Sequence, residues 1–301
     1  MKKKSYAKIN LTLDVIEKRQ DGYHNIDGIM QMIDLYDEVE VKNSDKFEIT
    51  SNSKDIPLDE RNLVYKVSIY DKGNGRERMV YKVCKVYKVY KVLKEKYKFN
   101  ERFSIRIEKN IPVSAGIAGG STNSAVVIEM IDEILGLNMS LDDKKQIGKS
   151  VGADIPYLLV GKTARTRGIG DELEILDSLP TTDILIVNNG VEIATPYVYS
   201  NIVPSGNSDR IDKLINVYKN KNYDEFFKGL YNVMEKVSIS YCPEIQNIKD
   251  KMYEFNCIKS LMSGSGPTVF GIFNDDKDIK KAYDYFKKIY KNTFIVKTME
   301  R

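Results

Sequence analysis

Residues 110–128 read Asn-Ile-Pro-Val-Ser-Ala-Gly-Ile-Ala-Gly-Gly-Ser-Thr-Asn-Ser-Ala-Val-Val-Ile, a run whose residue types could hold an anion. Gly116, Gly119 and Gly120 free the backbone from side-chain sterics, and apolar residues recur at helical spacing from Ala125 onward. Ser121, Thr122 and Asn123 stand where N-capping residues belong, so the first free N–H groups of the helix would point back into a loop lined with hydroxyls. Such an end accepts an anion, and phosphate is the one that a glycine-rich backbone approaches most closely. A plain glycine-rich turn before a capped helix fits the same residues, so this stretch alone leaves both readings open.

Three other places carry chemically useful side chains. Ile9, Leu11, Leu13 and Val15 alternate with Lys8, Asn10, Thr12 and Asp14, which predicts a half-buried strand with a polar face. Lys8 and Asn10 are neighbours on that face, where the lysine is either solvated or a counter-charge for phosphate. Asp21-Gly22 is a turn signal, and Tyr23 and His24 open the next extended run. That pair reads either as a turn-flanking surface couple or as a grip on a planar heterocycle, because imidazole offers two hydrogen-bonding nitrogens. Asp154 is the only charge in Gly152-Ala-Asp-Ile-Pro-Tyr-Leu-Leu-Val-Gly161. It has to be hydrogen-bonded, paired or capping, since desolvation would otherwise neutralise it. Gly161-Lys162-Thr163 invites comparison with a P-loop, but that pattern needs glycine at 156, where this chain has Pro156, and it is rejected.

These side chains need elements to hold them. Alternation at Val39 and Val41, and again at Phe47 and Ile49, predicts a small sheet of several strands before residue 50. Ser51 to Arg61 is polar, contains Pro57 and reads as a connection. Between 63 and 98 the tetrad Val-Tyr-Lys-Val occurs at 64–67, 80–83, 86–89 and 89–92. A period of three matches neither a strand nor a helix face; the expectation is one helix stretched by local duplication, its valine stripe spiralling, with Asp71–Arg78 an exposed, mobile insertion. Phe103 to Ile107 alternates as a strand closed off by Pro112, the helix after the glycine-rich loop ends at Gly136, and Ser140-Leu-Asp-Asp143 caps another that ends near Gly148 or Gly152. Further on, the pattern predicts a strand at 184–187, a helix from Ile211, a longer amphipathic helix over Phe226–Val237 and another from Pro243 to Phe255. A second glycine-serine loop at 262–267 opens into a strand, and a helix over Ile279–Tyr290 and a strand over Phe294–Lys297 follow.

At 301 residues the chain has room for two domains, and 42% hydrophobic with 30% charged residues is ordinary for a soluble globular protein. A net charge of +4 is too mild to imply a nucleic-acid partner and suits an anionic small molecule. Cys84, Cys242 and Cys257 have no paired short spacing, so neither a disulfide framework nor a zinc site is expected, and reduced thiols fit a cytoplasmic protein. No run approaches eighteen apolar residues, and the basic start is followed by a polar strand rather than the apolar core of a signal peptide; no membrane is expected. His24 is the only histidine, so a histidine-activated nucleophile must use it or none.

Three motifs in this order, Ala7-Lys8-Ile9-Asn10-Leu11, Pro112-Val-Ser-Ala-Gly-Ile-Ala-Gly-Gly-Ser-Thr-Asn123 and Ser263-Gly-Ser-Gly-Pro267, resemble the GHMP kinase superfamily of galactokinase, homoserine kinase, mevalonate kinase and phosphomevalonate kinase. Asp21-Gly22-Tyr23-His24, Gly152-Ala-Asp-Ile-Pro156 and Thr163-Ala-Arg-Thr-Arg-Gly-Ile-Gly170 are similar to the branch that phosphorylates a CDP-linked methylerythritol with ATP on the non-mevalonate route to isoprenoids. The resemblance implies an α+β, two-domain GHMP kinase fold. Residues 1–162 would form an ATP-binding domain similar to ribosomal protein S5 domain 2, and 163–301 a C-terminal substrate domain, with the active site in the cleft between them and an unusual left-handed βαβ crossover. It implies that Asp154 takes the proton of the substrate's C2 hydroxyl and that Lys8 pairs with it. His24 would read the cytosine edge, Tyr23 and Tyr199 would stack on the base, and Asn10 would touch the substrate. Asn62 would meet adenine, while Pro112, Val113, Ser114, Ala115, Gly116, Ile117, Ala118, Gly119, Gly120, Ser121 and Thr122 would hold ATP.

The implied cofactors are ATP and Mg²⁺, with the metal ligands unassigned. The implied partner is a CDP-linked polyol, with no nucleic acid and no membrane, bound by a monomer or weak homodimer. Substrates of the homoserine or mevalonate type have no base for His24 and the tyrosines to hold, and a catalytically inactive sensor would have no need of both Lys8 and Asp154. The chain departs from the usual family loop: Ala118 replaces a glycine, Thr122 a serine, Asn123 an aspartate and Ser124 an alanine. Ala118 is expected to constrain the backbone near the phosphates, and Asn123 to remove a charge.

Overall fold

The computed structural model describes residues 1–53, 64–71 and 76–300. Asn62 and residues 72–75 of the hydrophilic insertion lie outside them. In chain order the elements begin with β1 (Lys2–Lys18), β2 (His24–Ser44), β3 (Glu48–Ser51), β4 (Val64–Asp71), β5 (Arg76–Val83), α1 (Lys85–Tyr97) and β6 (Arg102–Glu108). Then come α2 (Gly119–Leu135), α3 (Leu141–Val151), α4 (Ile155–Val160), β7 (Ala164–Arg167), β8 (Glu172–Ile175) and β9 (Asp183–Asn188). The remainder is α5 (Thr195–Asn201), α6 (Asp209–Lys219), α7 (Tyr223–Gly229), α8 (Glu235–Tyr241), α9 (Glu244–Glu254), β10 (Lys259–Met262), β11 (Val269–Phe273), α10 (Asp276–Lys287) and β12 (Asn292–Met299).

Two compact units share these elements. The first takes Met1–Tyr6, Tyr36–Val113 and Gly119–Leu159, the second Ala7–Leu35, Ser114–Ala118 and Val160–Arg301. In the first, the later half of β2 runs antiparallel to β6 from Glu38↔Glu108 to Ser44↔Arg102, and β3 lies parallel on the far side of β6. Helices α1, α2 and α3 pack on one another. In the second unit the strand order is β10-β11-β9-β12-β2, antiparallel throughout, and β2 also pairs with β7 at Gly28↔Thr166. Its core joins Leu13, Val15 and Ile26 from the early strands to Leu185, Val187, Met262 and Phe286 from the late ones.

Four expectations change. The polar face of β1 is not solvated: Lys8, Asn10, Thr12 and Asp14 are all buried, because both faces of this strand are covered. The repeat region is not one helix. Residues 64–71 pair antiparallel with residues 76–83, Val67 opposite Val80, and the helix starts only at Lys85. A period of three commits to neither structure, so backbone pairing decides. Within α1 the buried positions are Val86, Val89, Tyr90 and Leu93, at helical spacing, while Val92 turns half out, as a spiralling stripe requires.

The expected helix over Phe226–Val237 is instead α7 and α8, broken at 230–234. There Leu13 N–H donates to the Tyr231 carbonyl at 3.0 Å and Val233 N–H to the Leu13 carbonyl at 3.1 Å, so β1 claims the backbone that a helix would use. Finally, α2 begins at Gly119, which places Ser121, Thr122 and Asn123 inside its first turns as buried side chains rather than as caps. Gly136 (φ 60°) ends α2 and Ser140 caps α3 by accepting from the Asp143 N–H, both as expected.

Candidate functional site

In the second unit the site is built around β1. The Lys8 ammonium, 4% exposed, donates to Asn10 Oδ1 at 2.6 Å, so the two side chains form one fixed polar group. The Lys8 N–H reaches the Ile117 carbonyl at 3.3 Å, and the Asn10 N–H donates to Ser263 Oγ at 3.1 Å. Ser263 Oγ in turn donates to the Gly116 carbonyl at 3.0 Å. Residues 114–118 and the loop at 263–267 are thereby tied to the same two strand residues. Gly116 has φ +75°, and a Cβ there would run into the Ser263 carbonyl oxygen; only glycine allows this approach. Asn232 holds the loop from behind, donating to the carbonyls of Met262 and Gly264 at 2.8 Å each.

Ser114 (φ 54°) and Ala118 (φ 63°) take up left-handed conformations that residues other than glycine rarely adopt. Ser114 Oγ donates to Glu192 at 3.0 Å. Ala118 is the position where the usual loop has glycine, so the expected constraint is present in the backbone itself.

The ring system expected to read a base also lies in this unit. His24, 9% exposed, stacks on Tyr199 with ring centroids 5.0 Å apart and planes 25° from parallel. Burial, helped by the positive charge of Lys18, lowers the His24 pKa below the ordinary histidine value. The imidazole is therefore neutral near pH 7, with one donor and one acceptor nitrogen. Tyr23 is 61% exposed beside it. The Thr163–Gly170 stretch braces this region: the Arg165 guanidinium is bidentate to Asp27 of β2 at 2.9 and 2.5 Å, and Ile26 N–H donates to the Gly168 carbonyl at 2.8 Å.

The first unit supplies the glycine-rich start of α2. Ser121 Oγ accepts from the Lys85 ammonium at 2.7 Å, a lysine that sequence reasoning passed over. Beneath this turn lies a buried network. Asp37 Oδ1 accepts from the N–H groups of Asn110 and Ile111 at 2.8 Å each, fixing the approach to the loop, while Asp37 Oδ2 pairs with the Lys109 ammonium. Asn123 Nδ2 donates to the same Asp37 Oδ2 at 2.9 Å and to Ser5 Oγ at 2.8 Å. Burial lowers the Lys109 pKa, and Asp37 opposes it. Asp37 could have been found from parity, since it shares the inward face with Leu35, Val39 and Val41. Asp154 immediately precedes α4, is half-buried, and accepts the Leu158 N–H on its carbonyl at 3.1 Å.

Residues 85–162 match the description "GHMP kinases N terminal domain" and residues 213–292 match "GHMP kinases C terminal". The 4-diphosphocytidyl-2-C-methyl-D-erythritol kinase of Finegoldia magna is 38% identical over 99% of this chain and 100% of its own length. The enzyme of that name from Caldicellulosiruptor bescii is 39% identical over 100% of this chain and 99% of its own. Among solved structures, a 4-(cytidine 5'-diphospho)-2C-methyl-D-erythritol kinase superposes with a TM-score of 0.76 at 22% identity, covering both chains completely. Homoserine kinase from Cytophaga hutchinsonii gives 0.71 at 15% identity, over 100% of this chain and 94% of its own, which speaks for the fold alone. This chain belongs to the GHMP kinase superfamily, within the family of 4-diphosphocytidyl-2-C-methyl-D-erythritol kinases.

Proposed function

We propose that this chain transfers the γ-phosphoryl group of ATP to the C2 hydroxyl of 4-diphosphocytidyl-2-C-methyl-D-erythritol. The observation that carries the reading is the likeness, at 38–39% identity over essentially the whole chain, to relatives bearing that enzyme's name. In the reaction the hydroxyl oxygen forms a bond to the γ-phosphorus, the bond to the departing ADP breaks, and the hydroxyl proton passes to Asp154. Phosphoryl transfer asks mainly for alignment and neutralisation of charge. The Lys8 ammonium, held in place by Asn10, supplies positive charge without having to reorganise. The backbone of the loop from Pro112 to Thr122 cradles the phosphates, and Asn62 meets the adenine.

Neutral His24 offers a donor and an acceptor to the cytosine edge, Tyr199 backs it, and exposed Tyr23 covers the base from outside. Asn10 orients the polyol. Among the described residues no group of three or more His, Cys, Asp or Glu side chains could cage a metal. Mg²⁺ would arrive on the nucleotide with its own waters, with Ser121 or Thr122 lending a hydroxyl. When bound, the ion would neutralise phosphate charge. No helix among the described residues is long and apolar enough to cross a membrane. We place the enzyme in the cytoplasm as a monomer or weak homodimer, without a nucleic-acid partner, the 1–162 part carrying the ATP loop and the 163–301 part serving the substrate together with Asn10, Tyr23 and His24.

Release of ADP, measured separately with the CDP-linked polyol, homoserine and mevalonate, tests the reading. Turnover is expected with the first alone. Turnover of homoserine but not of the CDP-alcohol would overturn it, and binding of both nucleotides without any turnover would mark an inactive relative.

A further inference from the structure

The second unit contains an open cavity of about 250 Å³, lined by neither Lys8 nor His24, between α6, α9, β10 and the segment at 230–235. Its lining is electrostatically lopsided. Arg210 of α6, Lys249 of α9 and Lys259 of β10 face it, and Glu235 is its only carboxylate. That carboxylate is already engaged: one oxygen takes the Lys249 ammonium at 2.7 Å, the other the Met262 N–H at 2.8 Å. Arg210 and Lys259 are thus left without a carboxylate of their own in the lining. Arg210 is exposed, with its guanidinium carbon 3.4 Å from the centre of the Tyr231 ring, and half-buried Lys259 donates to the Lys228 carbonyl at 3.1 Å. Burial lowers the Lys259 pKa, with Glu235 opposing and Lys249 and Arg210 adding to the effect. An anion in the cavity would relieve that repulsion.

The ligand class follows from charge and size. Two cations beyond the Glu235–Lys249 pair match a dianion, and a guanidinium fork beside an ammonium suits phosphoryl oxygens. The volume equals about eight waters at ~30 Å³ each, more than a lone phosphate fills. We propose that this cavity is a second anion site, separate from the reacting groups, in which Arg210 and Lys259 bind a diphosphate or a small phosphate monoester. The site also touches the catalytic loop: β10 runs from Lys259 to Met262, and Glu235 and Asn232 hold the backbone at 262–264.

Inorganic pyrophosphate is the probe. Titrated calorimetrically at low ionic strength into the intact protein, with the ATP and substrate sites filled by excess non-hydrolysable ATP analogue and CDP-linked polyol, it should give one saturable event. Arg210→Met and Lys259→Met should each weaken that event about tenfold, whereas Lys259→Arg should keep it. A measurement on the unmodified protein covers failure of the variants to fold: pyrophosphate should protect Lys259 from limited acetylation, read by mass spectrometry, and leave surface Lys291 unprotected. Absence of a saturable event, full-strength binding in both methionine variants, or acetylation of Lys259 unaffected by saturating pyrophosphate would each overturn the proposal.

Discussion

A single proton acceptor separates binding from turnover in the proposed reaction. Asp154→Asn keeps the shape of the side chain and removes its basicity, so kcat should fall at least about a hundredfold while calorimetric affinity for the CDP ligand stays within twofold. His24 makes a pH statement. Its folded pKa lies below that of the unfolded chain, so the unfolded state takes up the proton first as pH falls, and stability present above about pH 6.5 is lost below it. Thermal melting between pH 7.5 and 5 should therefore drop more steeply for the wild type than for His24→Gln. Asn123 is held by hydrogen bonds to charged neighbours: its amide N–H meets Asp37, and its oxygen faces the Lys109 ammonium that pairs with the same carboxylate. Asn123→Asp should cost about 2 kcal/mol or more in chemical denaturation, and adding Asp37→Asn should recover part of it. Lys8, His24 and the loop could be singled out as candidates because their residue types and order are distinctive. Lys85 and Lys109 were not, since nothing in a sequence says which of many lysines folds under a glycine turn.

Loops and strands tell a different story about what a sequence reveals. The tetrad Val-Tyr-Lys-Val is strand at 64–67 and 80–83 and helix at 86–89. Four identical residues cannot choose between the two; the partner strand or the packed helices choose for them. The break at 230–234 was hidden for the same reason, because the backbone bonds that cause it come from Leu13, more than two hundred residues earlier. Short-range signals fared better: Gly136 and Ser140 end and begin helices where their chemistry says they should. Ala118 sits between these cases, a residue with a Cβ at φ 63°. The left-handed conformation costs an alanine about 1–2 kcal/mol, of which glycine's extra chain entropy returns roughly half. Ala118→Gly should accordingly raise the urea midpoint by an amount equivalent to about 0.5–1 kcal/mol.

Taken as a whole, the chain is interleaved. The second unit draws Ala7–Leu35 and Ser114–Ala118 from the first half of the sequence, and Leu13, Val15 and Ile26 belong to its core. A fragment of residues 163–301 produced alone should therefore melt without cooperativity and give a poorly dispersed amide spectrum. Co-expression with residues 1–162 should restore both. A sharp independent transition in the fragment would show that the early strands are dispensable. The position of β12 has a consequence for synthesis on the ribosome. It lies between β9 and β2, pairing with Asp183–Asn188 on one side and with Met32–Ile33 on the other. During vectorial translation, β2 and β9 can both be made and still not be joined until Asn292–Met299 leaves the exit tunnel. Sheet closure thus waits for β12, and a nascent chain stopped before Asn292 would expose two unzipped strand edges to chaperones and proteases.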